Sequence, residues 1–304
     1  MTAVTHMPDN APMRSRQLTY FLAVVEHGGF GRAAAALQVA QPTLSQSVKA
    51  LERELGAELF HRATYGVVLT AAGKALLGPA RQLARDVNAV RRSVGRFDTV
   101  VLDLIAAAPL GVYPGAALVG SFCRAHPEIM IQLDRPDTDD QLAATVRDGA
   151  SELGLSYLPI QRLGLVEVEL GHHELMLATP PGWDRPTGSD RPGAPVTLPD
   201  LAGMDLIGPP RGCAPRDVVE AGLRAGGVRT RLAMELGQRD TILELVAAGV
   251  GATVLTDASR PAAEQRGIEL HPFDPPLRVP FGLVHRPGSL SEAAASFIDH
   301  ARPA

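Results

Sequence analysis

The apolar positions of the first hundred residues recur at helical spacing. Leu18, Phe21, Leu22 and Val25 lie at i, i+3, i+4 and i+7, one face of a helix that stops at Gly28-Gly29. A second short helix begins at about Arg32, with the small packing face Ala33, Ala34 and Leu37. Pro42 suits the first turn of a third helix, where a missing N–H costs nothing. Leu44, Val48, Leu51 and Leu55 form the buried stripe of that helix, which leaves Gln41, Thr43, Ser45, Gln46 and Lys49 on or near its outward face. Leu59-Phe60-His61-Arg62 and Val67-Val68-Leu69 then flank Ala63-Thr64-Tyr65-Gly66, a hairpin with a turn glycine. Thr70 is placed to cap a long helix running to about residue 96. Its apolar positions Leu76, Leu83, Val87, Val90 and Val94 make a heptad-like seam, and Pro79 predicts a kink or local break in its first two turns.

From Val100 the pattern changes to short apolar runs between helical stretches. Strands are predicted at residues 100–107, 129–133 and 153–156, with helices at 114–125 and 138–148 between them, an α/β arrangement with a mostly parallel sheet. The pattern restarts with strands near 165–170, 174–179, 204–207, 231–235 and 252–255. Helices are predicted near 215–225, 239–248 and 257–264, and a strand near 281–284 and a helix at 291–301 close the chain.

Composition separates the same two parts. The formal charge of -4 hides twelve Lys/Arg against six Asp/Glu in residues 1–96, a balance of +6, and seventeen against twenty-seven in residues 97–304, a balance of -10. A basic head on an acidic body is what a polyanion-binding module joined to another kind of domain shows. At 304 residues two or three compact units are expected. No apolar run reaches the roughly 18 residues of a spanning helix, so no membrane segment is expected. Residues 1–13 are polar and read as a disordered lead-in without the apolar stretch of a signal peptide, which points to the cytoplasm. Two cysteines, Cys123 and Cys213, make no disulfide framework.

The chemistry follows the elements. Two short helices, a tight turn and a third helix with an amide, hydroxyl and cation face make a helix-turn-helix. Glutamine pairs with adenine edges, Ser or Thr with either kind of base, and Lys with guanine or a phosphate. The hairpin is its wing, and Arg62 is placed to meet the DNA backbone or minor groove. His172-His173-Glu174 invites a metal reading, but adjacent strand residues point to opposite faces and no second ligand cluster appears. There is no Gly-x-Ser-x-Gly elbow, phosphate loop or Gly-x-Gly-x-x-Gly motif, so neither an enzyme, a cofactor nor a metal is expected.

The ordered set Phe30, Ala33-Ala34, Leu37, Gln41-Pro42, Ser45, Leu51-Glu52, Leu55-Gly56, Leu59-Phe60, Arg62, Leu69-Thr70 and Ala72-Gly73 resembles the DNA-binding domain of LysR-type regulators. Gly31 and Ala40 stand where that family usually has hydroxyl residues; Gly31 still serves as an N-cap. Phe122 before His126-Pro127, Leu142 before Asp148-Gly149, Leu153-Gly154-Leu155 and residues 246–251 resemble the family's effector-binding domain. The resemblance implies an N-terminal all-α winged helix-turn-helix with a linker helix, followed by a C-terminal α/β effector domain of two lobes, like a periplasmic binding protein. The expected boundaries are a DNA-binding domain at 14–73, a linker at 74–96 and an effector domain at 97–304. Lobe I takes 97–158 and 268–304, lobe II 159–267, with crossings near 157–163 and 266–280.

The expected partners are double-stranded DNA with a near-palindromic operator, a small and anionic effector, RNA polymerase, and further copies of the chain in a homodimer or a tetramer built from dimers. DNA contacts are expected from Arg32, Gln41, Pro42, Thr43, Ser45, Gln46, Lys49 and Arg62. Leu83, Val87, Val90 and Val94 either pack within their own subunit or pair two linker helices, and the resemblance favours pairing. Ligands in such folds sit at the carboxyl ends of strands against helix N-termini, which here points to Ala108, Pro109, Leu110, Thr138, Ser156, Arg211, Cys213, Gln238 and Thr256. Ala108-Pro109-Leu110 replace the Ser or Thr the family often has there; Arg211 or Arg216 is then either the anion partner or a solvated loop arginine. Cys123 reads as a buried structural thiol, and spacing does not support its pairing with Cys213. The competing readings are a solute-binding protein, which would need a signal peptide and leaves residues 16–75 unexplained, and an α/β enzyme.

Overall fold

The computed structural model describes residues 15–63, 66–93, 100–160, 164–183, 194–288 and 290–302, with the side chains of residues 62, 63, 88–93 and 239 excepted. The expected lead-in at 1–13 lies outside them. The chain forms two compact units, Met1–Asp98 with Asp148–Ala150, and Thr99–Arg147 with Ser151–Ala304.

The first unit opens with three helices, α1 (Ser15–Glu26), α2 (Phe30–Ala36) and α3 (Gln41–Leu55). Helix α1 buries two faces where the sequence spacing predicts one. Leu18, Phe21 and Leu22 pack with Leu51 and Leu59, while Tyr20, Ala23 and Val24 pack with Ala33, Ala34, Leu44 and Val48. The methyl side chains of Ala33 and Ala34 take little room between helices, and both are buried. Gly29, rather than Gly31, occupies the N-cap position of α2. Helix α3 starts from Ala40 without a side-chain cap and carries proline in its first turn. Leu44, Val48 and Leu51 are buried, but Leu55 is 42% exposed: it is the last residue of the helix and leaves the stripe. Gly56 follows at φ 65°, and the N–H groups of Gly56 and Ala57 close the helix on the carbonyls of Arg53 and Glu52.

Side chains from the matched motif then lock the hairpin in place. Glu52 Oε1 accepts the Leu59 N–H at 2.8 Å. Strands β1 (Phe60–Ala63) and β2 (Gly66–Leu69) pair antiparallel, Phe60 opposite Leu69. Thr70 Oγ1 accepts the Gly73 N–H at 2.9 Å and donates to the Glu58 carbonyl at 2.6 Å, capping α4 (Ala71–Ser93) as its sequence position predicts. Helix α4 continues without interruption through Pro79, so the expected local break does not occur. Leu77 and Ala80 turn inward to the α1 cluster. Leu83 is 37% exposed and Val87 half-buried. The side chain of Val90, and Val94 altogether, fall outside the described residues.

The second unit is built on a mixed sheet. Strands β3 (Val100–Ala106), β4 (Ile129–Asp134) and β5 (Leu153–Tyr157) run parallel, with β3 in the middle. Strand β11 (Arg278–His285) pairs antiparallel with β5 and with the first part of β6 (Val166–Thr179). The last part of β6 pairs antiparallel with β9 (Thr253–Thr256) and β10 (Glu269–Pro272). Strand β7 (Asp205–Gly208) runs parallel to β8 (Arg231–Glu235), and Leu206 bridges to Ala252 beside β9.

The three strands behind the expectation of a mostly parallel sheet, β3, β4 and β5, do run parallel, whereas the four pairings made by β6 and β11 are antiparallel: an apolar run marks a strand but carries no direction. The two strands expected at 165–170 and 174–179 are one strand, because Gly171 and His172 continue the ladder with β11. Strand β10 was unforeseen. It pairs with the last part of β6, in the half that holds β9, and lies inside the segment 266–280 where the chain was expected to cross.

Helices α5 (Ala108–Leu110), α6 (Ala116–Ala125), α7 (Asp139–Arg147), α8 (Ala214–Ala225), α9 (Arg239–Ala247), α10 (Arg260–Glu264) and α11 (Glu292–Ala301) flank these strands. The largest buried cluster includes Leu102, Leu104, Phe122, Leu142, Leu155 and Phe297. Buried Glu152 accepts the Ser291 N–H at 2.7 Å and the Ser291 hydroxyl at 2.8 Å, which anchors the start of α11 and satisfies both carboxylate oxygens.

Candidate DNA-facing helix and effector cleft

Because Leu44, Val48 and Leu51 turn α3 inward, the opposite face is set by the helical period. Gln41, Pro42, Thr43, Gln46 and Lys49 are exposed there, and Ser45 is half-buried. They form a polar surface with one cation and no carboxylate. Arg32 sits differently. Its guanidinium donates to the His27 carbonyl at 2.5 Å and the Gly28 carbonyl at 2.7 Å, so it braces the end of α1. A Cβ on Gly66 would lie 2.6 Å from that same Gly28 carbonyl, so the start of β2 comes directly against the braced end. Arg62 lies on β1 opposite Val67, and its side chain is outside the described residues.

In the second unit a cavity of about 400 Å³ opens where strands end. Ala107, Ala108 and Pro109 follow β3, Arg135 to Asp139 follow β4, and Tyr157 ends β5. From the other half come Pro209, Pro210 and Cys213 after β7, Gly237 and Gln238 after β8, and Thr256 and Ser259 at the end of β9. Pro215, Ile242 and Thr253 to Leu255 complete a largely apolar wall.

Of the nine residues expected at this cleft, Ala108, Pro109, Thr138, Cys213, Gln238 and Thr256 line it; Leu110, Ser156 and Arg211 do not. Leu110 is fully buried in the core beneath its helical turn. Ser156 points to the face of β5 opposite Tyr157, as strand alternation requires. Arg211 is exposed in its loop. Arg216 is buried and already engaged by Glu220 at 2.6 Å, Glu235 at 2.7 Å and the Pro209 carbonyl at 2.5 Å.

Sequence reasoning missed Arg135, Asp139, Tyr157, Ile242 and Ser259. The available signal was the place of Arg135, Asp139, Tyr157 and Ser259 at or shortly past a strand end; Ile242 lies within α9. Asp139 matters most. Its Oδ2 accepts the Ala214 N–H at 2.9 Å, in the first turn of α8. Burial, with smaller contributions from Asp217 and Asp140, raises its carboxyl to about 6 against the pull of that hydrogen bond. Burial also pushes the Cys213 thiol up to about 11, with Asp139 and Asp217 adding to it, so the thiolate is scarce at neutral pH. Cys123 is half-buried.

Among the described residues no group of three or more His, Cys, Asp or Glu is arranged to hold a metal ion, and no helix is long and apolar enough to cross a membrane. His173 is buried and His172 exposed, on opposite faces of β6.

Residues 101–304 match the family profile described as LysR substrate binding domain. Residues 15–74 match the one described as bacterial regulatory helix-turn-helix protein, lysR family. The chain is 34% identical over 284 residues to the HTH-type transcriptional regulator IlvR of Caulobacter vibrioides, covering 90% of this chain and 92% of that one. It is 31% identical over 301 residues to the HTH-type transcriptional regulator TfdS of Cupriavidus pinatubonensis, covering 95% and 98%. Among solved structures it resembles a full-length OxyR variant from Pseudomonas aeruginosa, with a TM-score of 0.74, 25% identity, and 96% and 98% of the two chains covered. It also resembles full-length CbnR complexed with its target DNA, with a TM-score of 0.60, 26% identity, and 95% and 98% covered.

Proposed function

The chain belongs to the LysR family of bacterial transcriptional regulators, and on that premise we propose that it reads its operator with α3 and responds to a small molecule held in the cleft of the second unit. Gln41, Thr43, Ser45, Gln46 and Lys49 face the major groove, with Pro42 starting the helix that carries them. Arg62 on the wing reaches the DNA backbone or minor groove, whereas Arg32 supports DNA binding indirectly by fixing the end of α1 against the hairpin.

Assembly follows from α4. Leu83 remains 37% exposed while Leu77 and Ala80 on the same helix are buried, which supports pairing through Leu83 with the α4 of a second copy. Val87, Val90 and Val94 continue the seam. Two paired linker helices carry two recognition helices to two half-sites, which calls for a near-palindromic operator; dimers assemble further into tetramers. The protein works in the cytoplasm, where its DNA is, performs no catalysis, and influences transcription through RNA polymerase.

The observation that carries the reading is the pairing, in one chain, of a polar and exposed recognition face with an apolar cavity at strand ends. A mobility shift of the full-length protein on DNA flanking its own gene tests it. Specific binding, two protected half-sites and a loss of affinity of about 10³-fold or more between 50 and 200 mM salt are expected. Equal binding to random DNA would overturn it.

A further inference from the structure

The charges around the cleft oppose the anionic occupant that the sequence suggested. Arg211 is exposed away from the lining, and Arg216 is held by Glu220, Glu235 and the Pro209 carbonyl. Among the described residues Arg135 is the one cation of the lining and is exposed, with exposed Asp137 nearby in the same wall.

Of the helix ends at the cleft, those of α7, α8 and α9 already carry a capping group or an acid, while α5 starts from Ala107 without a side-chain cap. Thr138 Oγ1 accepts the Gln141 N–H at the start of α7, and Gln141 Oε1 accepts the Asp137 N–H. Asp139 supplies a carboxylate to the first turn of α8, and α9 carries Asp240 in its own first turn. Asp139 lines the cavity, and its hydrogen bond to Ala214 uses Oδ2 alone. Its Oδ1 therefore stands as a charged acceptor beside an apolar cavity, lacking a hydrogen bond from the described residues.

We propose that the effector is a small apolar molecule bearing a protonated nitrogen, whose N–H groups bind Oδ1 of Asp139, and that a carboxylate in the same position is rejected. The inference rests on the cleft being the effector site. A cation there gains a charge-assisted hydrogen bond in a place of reduced solvation, whereas an anion meets Asp139 directly. Acid works against the cation. The titratable groups around Asp139 are Asp140 on its own helix, Asp217 on α8 and Cys213, and Arg135 and Asp137 share the wall. Burial, with smaller contributions from Asp217 and Asp140, keeps its carboxyl near 6, so a protonated Asp139 loses its hold on the ligand below that value.

Three probes of matched size test the idea on the full-length protein at millimolar concentration: benzylamine, benzyl alcohol and benzoate. Binding is followed by calorimetry and by ligand-observed magnetic resonance. Benzylamine should bind best, with affinity about tenfold weaker at about pH 5 than at about pH 8. Asp139→Asn, which keeps an acceptor for the Ala214 N–H, should lose at least about tenfold for benzylamine and admit benzoate. Benzoate binding the unaltered protein as tightly as benzylamine would overturn the proposal while leaving the cleft as the effector site. So would an unchanged benzylamine preference in Asp139→Asn. A cavity-filling Ala108→Trp variant, its fold checked by circular dichroism, separates the two readings. If it binds benzylamine undiminished, or if no probe binds the unaltered protein, the cleft assignment falls and the proposal with it.

Discussion

The two units place their working residues in opposite ways. In the first, the candidate DNA contacts Gln41, Thr43, Ser45, Gln46 and Lys49 lie within a single helix, and neighbours in sequence are neighbours on the surface. In the second, the cleft collects residues from Ala107 to Ser259, drawn from the ends of β3, β4, β5, β7, β8 and β9. The first unit carries surplus positive charge outward. The second keeps an acid at its cavity and ties its buried arginine to two glutamates. A recognition face can therefore be altered one residue at a time, whereas a change in sheet geometry reaches the whole cleft at once.

The largest effect should come from that geometry. A Cβ at Gly282 would sit 2.2 Å from the Val168 carbonyl and 2.9 Å from the Glu169 Cα, both backbone atoms, beside the register shift where β11 crosses β6. Gly282→Ala should cost about 3 kcal/mol or more. In thermal melts followed by circular dichroism the loss should fall on the α/β unit, with the helical unit still binding DNA. A single transition that takes both units down together would break the comparison.

A smaller and local effect is expected on α3. Gln46→Ala should weaken binding to the cognate operator by about 1–3 kcal/mol and relax base preference at the position it reads. Fluorescence anisotropy with cognate and random duplexes measures both. Equal losses on the two would make Gln46 a phosphate contact and not a reader of sequence.

The smallest concerns Asp139 and stability without ligand. Its carboxyl is raised from 3.8 to about 6 in the fold, so the folded protein holds that proton more tightly than the unfolded chain does. Stability from this group is present at low pH and is lost as pH rises from about 4 to about 6. Asp139→Asn should therefore be more stable than the unaltered protein at about pH 7.5, by roughly 1–2 kcal/mol, and nearly equal to it below about pH 4. Urea denaturation at the two pH values checks the sign; the same difference at both would mean that the carboxylate is well solvated.

What the sequence by itself determined is everything that helical and strand periods carry. Leu44, Val48 and Leu51 define the inner face of α3 and, by subtraction, the outer one; Gly56 and Thr70 end one helix and begin the next through bonds to residues three or four away. Leu55 escaped because burial at the end of a helix depends on what covers it. In the α/β unit the apolar runs marked most strands, but the single long β6, the added β10 and the antiparallel pairings came from the sheet. Asp139 shows why. Its partner Ala214 lies 75 positions away, and nothing in either segment names the other. Along a helix, sequence spacing converts directly into distance because the hydrogen bonds join near neighbours. Across a cleft, distance follows from strand order and direction, which contacts between remote segments decide only once the whole sheet has formed.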